Sequence, residues 1–411
     1  MKIISLNVRG LGKLEKEKFN WIKKLIRFHN PDIFAIQESK RKRVTDFMIE
    51  LLWGNKNFEY IFKPSVGLSG GSILIWNPTR FCVTGAVERE FFLGIRGRWV
   101  GKMADSIILN VYGPHNDQLK QKFWDSLDNI MQVDTDDWVF CGDFNEVRRR
   151  AERKNCEFIE SRAKMFNDFI DKANLIEIPL GGMKFTRISD DGLKYSKLDR
   201  FLVSEACYAS WDGISACTLD RDYSDHCPIV LKDMNNDFGP KPIRIFNNWF
   251  EDDKCDDLIK DAWKVTICNP RADCVFRDKL KNVKGVLKEK CNPKYNSLNA
   301  EIDSLHKEIS EWENIIGTRD LSEVEIASWL DSKKKWLKKD KEKVDILKQN
   351  ARIKWVTEGD ENSKFFHSCI KRRQNKNNIR GINSNGLWIE NPEDIKMAAF
   401  TYFVPSKFVA P

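Results

Sequence analysis

Three short segments of this 411-residue chain set a carboxylate beside a group that moves protons or holds oxygen. Gly142-Asp143-Phe144-Asn145 follows the apolar run Trp138–Cys141, so Asp143 and Asn145 leave a strand on one side of the chain, where an acid and an amide share a phosphate or a water. Tyr223-Ser224-Asp225-His226 joins a carboxylate to an imidazole, the side chain suited to proton transfer or phosphate contact near neutral pH, just ahead of the run Pro228–Leu231. Gln37-Glu38-Ser39 places an isolated acid past a third apolar run, and Mg²⁺ is typically held by one or two carboxylates with water filling the remaining positions. Each segment also has an ordinary reading: Glu38 as a surface acid, Gly-Asp as a turn, Asp-His as a structural pair. Together they supply what hydrolysis of a phosphodiester requires, namely a cation site, an acid to activate water and a donor for the developing charge. With only five histidines in the chain, one that abuts Ser-Asp at a strand entrance is less readily read as filler.

The elements that must position these groups alternate between strand and helix from Ile3 to about Leu231, the rhythm of an α/β domain. Strands are predicted at Ile3–Asn7, Ile33–Gln37, Ser72–Trp76, Ile107–Tyr112, Trp138–Cys141, Leu198–Val203 and Pro228–Leu231. Helical stripes are formed by Trp21, Ile22, Leu25 and Ile26, and by Ile159, Ala163, Phe166, Ile170 and Ala173. Asn7, Glu38, Tyr112, Asp143 and Asp199 all fall at or just past a strand end, where sheet-based enzymes build their sites.

Composition bounds the rest. No apolar run approaches a membrane span, and Lys2, Asn7 and Arg9 break any secretory signal at the start, so an intracellular site is expected. The 11 cysteines show no CxxC or zinc spacing and read as reduced thiols. A formal net charge of +8, with clusters at Lys40–Arg43, Arg148–Arg150 and Lys371–Arg373, suits a polyanionic partner. Residues 234–242, rich in Asn, Gly and Pro, read as a linker closing a 1–233 domain. Residues 243–352 form a helical connector with heptad seams at Leu298, Ile302, Leu305, Ile309, Trp312 and Ile316, then at Leu330, Leu337, Val344 and Ala351. Two antiparallel helices are expected there, with dimerisation through them as an alternative. Residues 353–411 read as a separate unit cut short.

Taken in order, Leu6-Asn7-Val8-Arg9-Gly10, Ile36-Gln37-Glu38, Val111-Tyr112-Gly113-Pro114, Gly-Asp-Phe-Asn, Lys197-Leu198-Asp199-Arg200 and Ser-Asp-His-Cys-Pro resemble the endonuclease/exonuclease/phosphatase family over residues 1–233. The resemblance implies a four-layer α/β sandwich, two mixed sheets face to face with helices outside, here followed by an α-helical, partly coiled-coil region. It implies that Glu38, with Asp225 and Asn7, holds the metal, Mg²⁺ or alternatively Mn²⁺. It implies further that Asp143 orients or deprotonates the attacking water, that Asn7 and Asn145 hold phosphate, water or metal, and that Tyr112 contacts the phosphate. His226 stabilises the phosphoryl oxygens, Asp199 fixes the tautomer of His226, and Thr186 matches a DNA-contacting position. Two departures lie on substrate-facing loops: His115, where nucleases often carry Asn, and Arg187, where an aromatic is usual after Thr186.

Within the family the chain is most similar to endonuclease domains of plant LINE-type (non-LTR) retrotransposons, through Val111–Pro114, Phe123-Trp124, Leu198–Ser204 and Tyr223–Ile229. Residues 243–250, Ile353-Lys354-Trp355, Glu358-Gly359-Asp360, Lys364–His367 and Gly386–Ile389 resemble the connector before a reverse transcriptase, whose Tyr/Phe-Ala-Asp-Asp segment is not in this sequence. The expectation is therefore a metal-dependent endonuclease that nicks one DNA strand and leaves a 3′-hydroxyl, without small-molecule cofactor or membrane. Nuclear residence follows from that substrate and the weak basic signal Lys40–Arg43, with the cytoplasm otherwise expected. The alternatives are a phosphoinositide or other small-molecule phosphohydrolase of the same fold, and an inactive nucleic-acid-binding remnant.

Overall fold

A computed structural model describes residues 1–12, 16–67, 69–131, 137–211, 213–233, 253–265, 271–290, 292–316, 321–351 and 379–403, with positions 239, 250, 319 and 377. The predicted linker 234–242 lies outside the described residues apart from Gly239, as do the motifs of 353–376; of 243–250 only Phe250 is described. The chain divides into two compact units, 1–238 with 377–411, and 239–376.

The first unit opens with β1 (Lys2–Asn7), α1 (Lys16–His29), β2 (Ile33–Gln37), α2 (Asp46–Trp53), β3 (Glu59–Val66) and β4 (Ser69–Trp76). It continues through β5 (Phe81–Glu88), β6 (Phe92–Trp99), β7 (Asp105–Tyr112), α3 (Asp117–Met131), β8 (Asp137–Asp143), β9 (Arg153–Lys154) and α4 (Glu160–Lys172). Then come β10 (Leu175–Glu177), β11 (Leu180–Gly181), β12 (Arg187–Ile188), β13 (Tyr195–Ser196), β14 (Asp199–Ser204), α5 (Glu205–Ser210), β15 (Ile214–Thr218) and β16 (Ile229–Asp233).

One sheet runs β11-β15-β16-β1-β2-β4-β3 and the other β10-β14-β8-β7-β6-β5. Both are mixed, because β1 pairs parallel with β2 and β7 parallel with β8, while their other central neighbours are antiparallel. The sheets face each other across Ile3, Ile33, Ala35 and Leu74 on one side and Ile95, Ile108, Val139 and Phe201 on the other. Helices α1 and α2 cover the outer face of the first sheet through Trp21, Ile22, Ile49 and Leu52, and α3 and α4 cover the second through Phe123, Trp124, Phe166 and Ile170. This is the expected four-layer α/β sandwich. The central strands are buried on both faces, which is why β2 and β8 read as continuous apolar runs rather than alternating ones.

Register brings the chemistry to one end of the sandwich. Asp143 at the end of β8 lies opposite Tyr112 of β7 on one flank and Asp199 of β14 on the other, and Asn7 lies opposite Gln37 in the facing sheet.

The segment after residue 376, set apart in the sequence reading, packs within the first unit. A hairpin, β17 (Ile382–Ser384) and β18 (Leu387–Ile389), precedes α6 (Pro392–Phe403). Trp388 lies so close over Gly181 that a Cβ there would come within 2.3 Å of its ring, and Glu390 pairs with Lys232. Only a glycine admits that ring.

Among the described residues the second unit contains four helices, Asp253–Lys264, Ala272–Lys290, Asn292–Ile316 and Glu323–Ala351, packed around Cys255, Leu287, Leu298, Ile302 and Ile346. Ser332 bonds Glu308 and Lys339 pairs with Glu301, so the last two helices run antiparallel. The second predicted seam is corrected in part: Val344 is buried as expected. Leu330 and Leu337 are 52% and 55% exposed, whereas Trp336 and Ile346 face the core. No helix among the described residues is long and apolar enough to cross a membrane.

Candidate active site

Asp143 is fixed on both carboxylate oxygens. Asn7 donates its Nδ2 to Oδ2 at 2.9 Å, and the backbone N–H of Asn145 donates to Oδ1 at 2.9 Å. The first bond ties the ends of the two sheets together. The second needs the turn after β8 to fold back on itself, which it does with Asn145 in the left-handed region at φ 50°, a conformation asparagine tolerates better than most residues. The Asn145 side chain then donates to the Gly113 carbonyl at 2.8 Å, and Lys120, buried with Glu146, donates to the Asn145 carbonyl at 3.0 Å. Burial, above all, raises the Asp143 carboxyl, assisted by Asp199 and opposed by His226 and the two amide donors. An acid shifted that way is a stronger base toward a neighbouring water.

His226 stands beside it. Its Nε2 lies 3.6 Å from Asp143 Oδ2 and its Nδ1 lies 2.8 Å from Asp199 Oδ2. Burial alone would lower the imidazole, but Asp199 and Asp143 outweigh it and push it up to about 9, so the ring carries a proton at neutral pH. The directions for His226 and Asp143 pull apart: their attraction would lower the acid, yet its complete burial costs more. Ser224 orders the approach to the ring, donating to the Asn7 carbonyl at 2.7 Å and accepting from the His226 N–H at 3.2 Å. Asp143, Asp199 and His226 present ligand atoms within 4.8 Å of one another and could hold a metal ion. His226 Nδ1 and Asp199, however, are already engaged with each other.

Glu38 and Asp225 supply further carboxylates. Glu38 sits at φ 54° and Lys40 at φ 53°, a strained pair held by backbone bonds from Gly10 to Glu38 and from Ser39 and Lys40 to Gly71 and Gly70. Lys40 Nζ lies 3.1 Å from Glu38 Oε1. Tyr112 lies nearby: burial first, then the charges of Glu38 and Asp143, hold its hydroxyl far above its ordinary value and keep it a donor. Asp225 bonds Arg187 Nε through Oδ2 at 3.1 Å, while its Oδ1 is buried with no hydrogen-bond partner. An unpartnered carboxylate oxygen among other oxygen donors suits a hard divalent cation. Asn7 Oδ1 accepts from the Arg9 N–H at 3.0 Å and retains one lone pair.

Ten residues were expected at the site, and the structure gathers Asn7, Glu38, Tyr112, Asp143, Asn145, Asp199, Asp225 and His226 at one end of the sandwich. His115 is exposed beside Tyr112, their ring centroids 6.3 Å apart. Thr186 is a correction. It is completely buried, and its hydroxyl accepts from the N–H groups of Leu198 and Asp199 at 2.9 and 3.0 Å, so it positions Asp199 rather than meeting a substrate. The basic cluster at Arg148–Arg150 is also partly structural: Arg148 bonds Glu177 at 2.8 Å within a network centred on the fully buried Arg200. Sequence reasoning gave Ser224 and Arg9 no role, and singled out Arg187 only as a departure on a substrate-facing loop, whereas it bonds Asp225. Arg9 pairs with Asp190 and stands 3.9 Å from Asp225, a contact across more than two hundred residues that no local pattern signals.

A model of the Endonuclease/Exonuclease/phosphatase family matches residues 4–226. Similar solved structures include an AP endonuclease from Leishmania major, 18% identical over 56% of this chain and 86% of that one with a TM-score of 0.46. The catalytic domain of Xenopus laevis APE2 is 16% identical over 57% and 91%, with a TM-score of 0.47. The endonuclease domain of TRAS1, a telomere-specific non-LTR retrotransposon, is 12% identical over 56% and 96%, with a TM-score of 0.42. No curated protein matches the chain.

Proposed function

Because the chain belongs to the endonuclease/exonuclease/phosphatase family, we propose that it is a metal-dependent DNA endonuclease that nicks one strand by phosphodiester hydrolysis and leaves a 3′-hydroxyl. The observation that carries this reading is the buried row Asp199–His226–Asp143, with Asp143 held on both oxygens by Asn7 and Asn145.

Asp143 accepts the proton of the attacking water, since its two amide contacts aim the carboxylate and burial strengthens it as a base. Protonated His226 donates to a phosphoryl oxygen, and Asp199 holds the ring in the orientation that turns Nε2 toward the substrate. Tyr112 donates to the same phosphate, and Asn7 and Asn145 fix the neighbouring oxygens. Glu38 and the free oxygen of Asp225, with Asn7, are the residues that would hold Mg²⁺, or Mn²⁺ in its place. Such an ion, when bound, neutralises charge on the phosphoryl and leaving oxygens.

The origin in a LINE-type retroelement rests on the sequence segments Val111–Pro114, Leu198–Ser204 and Tyr223–Ile229, and nuclear residence follows from a chromosomal substrate. Incubation with supercoiled plasmid, with and without EDTA, tests the proposal. Conversion to open circles that needs a divalent metal supports it, and release of phosphate from phosphoinositides without nicking sinks it.

A further inference from the structure

The catalytic end opens toward a groove along the outer face of α1. A cleft of about 660 Å³ lies against Asp225 and is bounded by Arg9, Arg221, Asp222 and Tyr223. Arg221, Asp222 and Tyr223 also bound a second cleft of about 970 Å³, whose far wall is the outer face of α1: Glu17, Asn20, Lys23, Lys24 and Arg27. A third, of about 910 Å³, shares Trp21, Lys24, Arg27 and Asp222 and reaches the hairpin at Trp388. The three clefts adjoin along these shared residues.

Its chemistry is that of a phosphate track. In the middle cleft Lys23, Lys24, Arg27 and Arg221 outnumber Glu17 and Asp222. Lys23, Lys24 and Arg27 stand exposed on adjacent turns of one helix, and none has an ion-pair partner among the described residues. Three other cations near the site are engaged: Lys40 with Glu38, Arg9 with Asp190, Arg148 with Glu177. Tyr223, 48% exposed, leans its ring on Trp21 with centroids 6.1 Å apart and forms an aromatic step where the groove meets the catalytic cleft.

We infer that this groove binds the sugar-phosphate backbone of the DNA flanking the scissile bond on one side, with Lys23, Lys24 and Arg27 neutralising successive phosphates. The inference rests on the DNA reading above and assigns the path of the substrate. Glu17 and Phe28 are separated by roughly 17 Å at the rise of an α-helix, or about five base pairs of duplex at 3.4 Å each. One flank therefore contributes to binding over about five base pairs beyond the catalytic cleft, and the opposite flank contributes nothing through this helix.

The test measures binding by fluorescence anisotropy on the full chain in EDTA, apart from any cleavage, with duplexes lengthened on one side or the other. Affinity should rise as one flank grows and then level off. In K24E/R27E that gain should shrink by about tenfold, with the slope of log affinity against log salt shallower by about two. K56E/K164E, at two exposed lysines outside the groove, matches the change in net charge. Equal weakening of short and long duplexes, an unchanged salt slope, or the same loss in K56E/K164E overturns the groove. Plasmid nicking by the same wild-type preparation is scored separately: bound but uncut DNA removes the nuclease reading and leaves the groove, whereas nicking with a length-independent K24E/R27E removes the groove alone.

Discussion

Asp199 Oδ2 lies 2.8 Å from Nδ1 of His226, and the opposite nitrogen of that ring lies 3.6 Å from Asp143. One acid thus orients the imidazole against the other. The contact depends on strand register, because Asp199 and Asp143 face each other as partners in neighbouring antiparallel strands. Replacement of Asp199 by Asn preserves the size of the side chain while removing the charge that keeps the ring protonated and aimed. We expect kcat to fall about 10²- to 10⁴-fold with little change in DNA affinity. A D199N protein with wild-type kcat would assign the row to structure.

Thr186 separates a structural role from a substrate contact. Its hydroxyl is the acceptor for two buried N–H groups, so Thr186→Val should cost about 1–3 kcal/mol of stability, read as a lower midpoint in urea. DNA affinity of the folded variant should hold. Weakened binding without loss of stability would return Thr186 to the substrate surface.

The network behind the site predicts the acid behaviour of the domain. Burial would raise the Glu177 carboxyl, but Arg200 and Lys197 override it and hold it at about 2, below its ordinary 4.5. A carboxyl depressed on folding contributes stability above its unfolded pKa and loses that contribution as pH falls through the folded value. Between about pH 4.5 and 2 the network should give up on the order of 3 kcal/mol. In E177Q that part of the acid dependence should vanish, leaving a protein already weakened at pH 7 because Arg200 stays buried with Glu152 alone. An E177Q denaturation profile parallel to wild type across this window would contradict the assignment.

How much of this was legible in the sequence follows from burial and range. The strands that carry the site were readable because burial on both faces makes them unbroken apolar runs, as in Ile33–Gln37 and Trp138–Cys141. The edge strand Phe81–Glu88 was missed, since its exposed alternate residues and Gly85 dilute the signal, and Phe92–Trp99 was missed because Gly94 and Gly97 interrupt it where backbones crowd. The acids and His226 were found at strand ends, where polar residues interrupt apolar runs. The partnership of Asp199 with His226 came from the family resemblance alone, and the bond from Asn7 to Asp143, which spans 136 positions, was not found. The groove on α1 escaped for a simpler reason: Lys23, Lys24 and Arg27 make no run, and only helical spacing aligns them.

The packing of Trp388 on Gly181 predicts a coupling between residues far apart in the chain. Gly181→Ala would drive a methyl into the ring, costing about 1–3 kcal/mol and exposing residues 379–403 to protease. Trp388→Ala should relieve that clash, so the double variant should lose less than the sum of the singles. Strict additivity would show that the hairpin is not seated there in solution.

The central claim is that Asp143, aligned by Asn7 and Asn145 beside His226, activates water for cleavage of DNA. Nicking of supercoiled plasmid by the wild-type chain and by D143N, with Mg²⁺ or EDTA and with end-group analysis of the product, tests it most directly. The account predicts metal-dependent nicks with 3′-hydroxyl ends and a loss of about 10²-fold or more in D143N. Wild-type protein that leaves the plasmid intact with Mg²⁺, or D143N that nicks as fast as wild type, would contradict it.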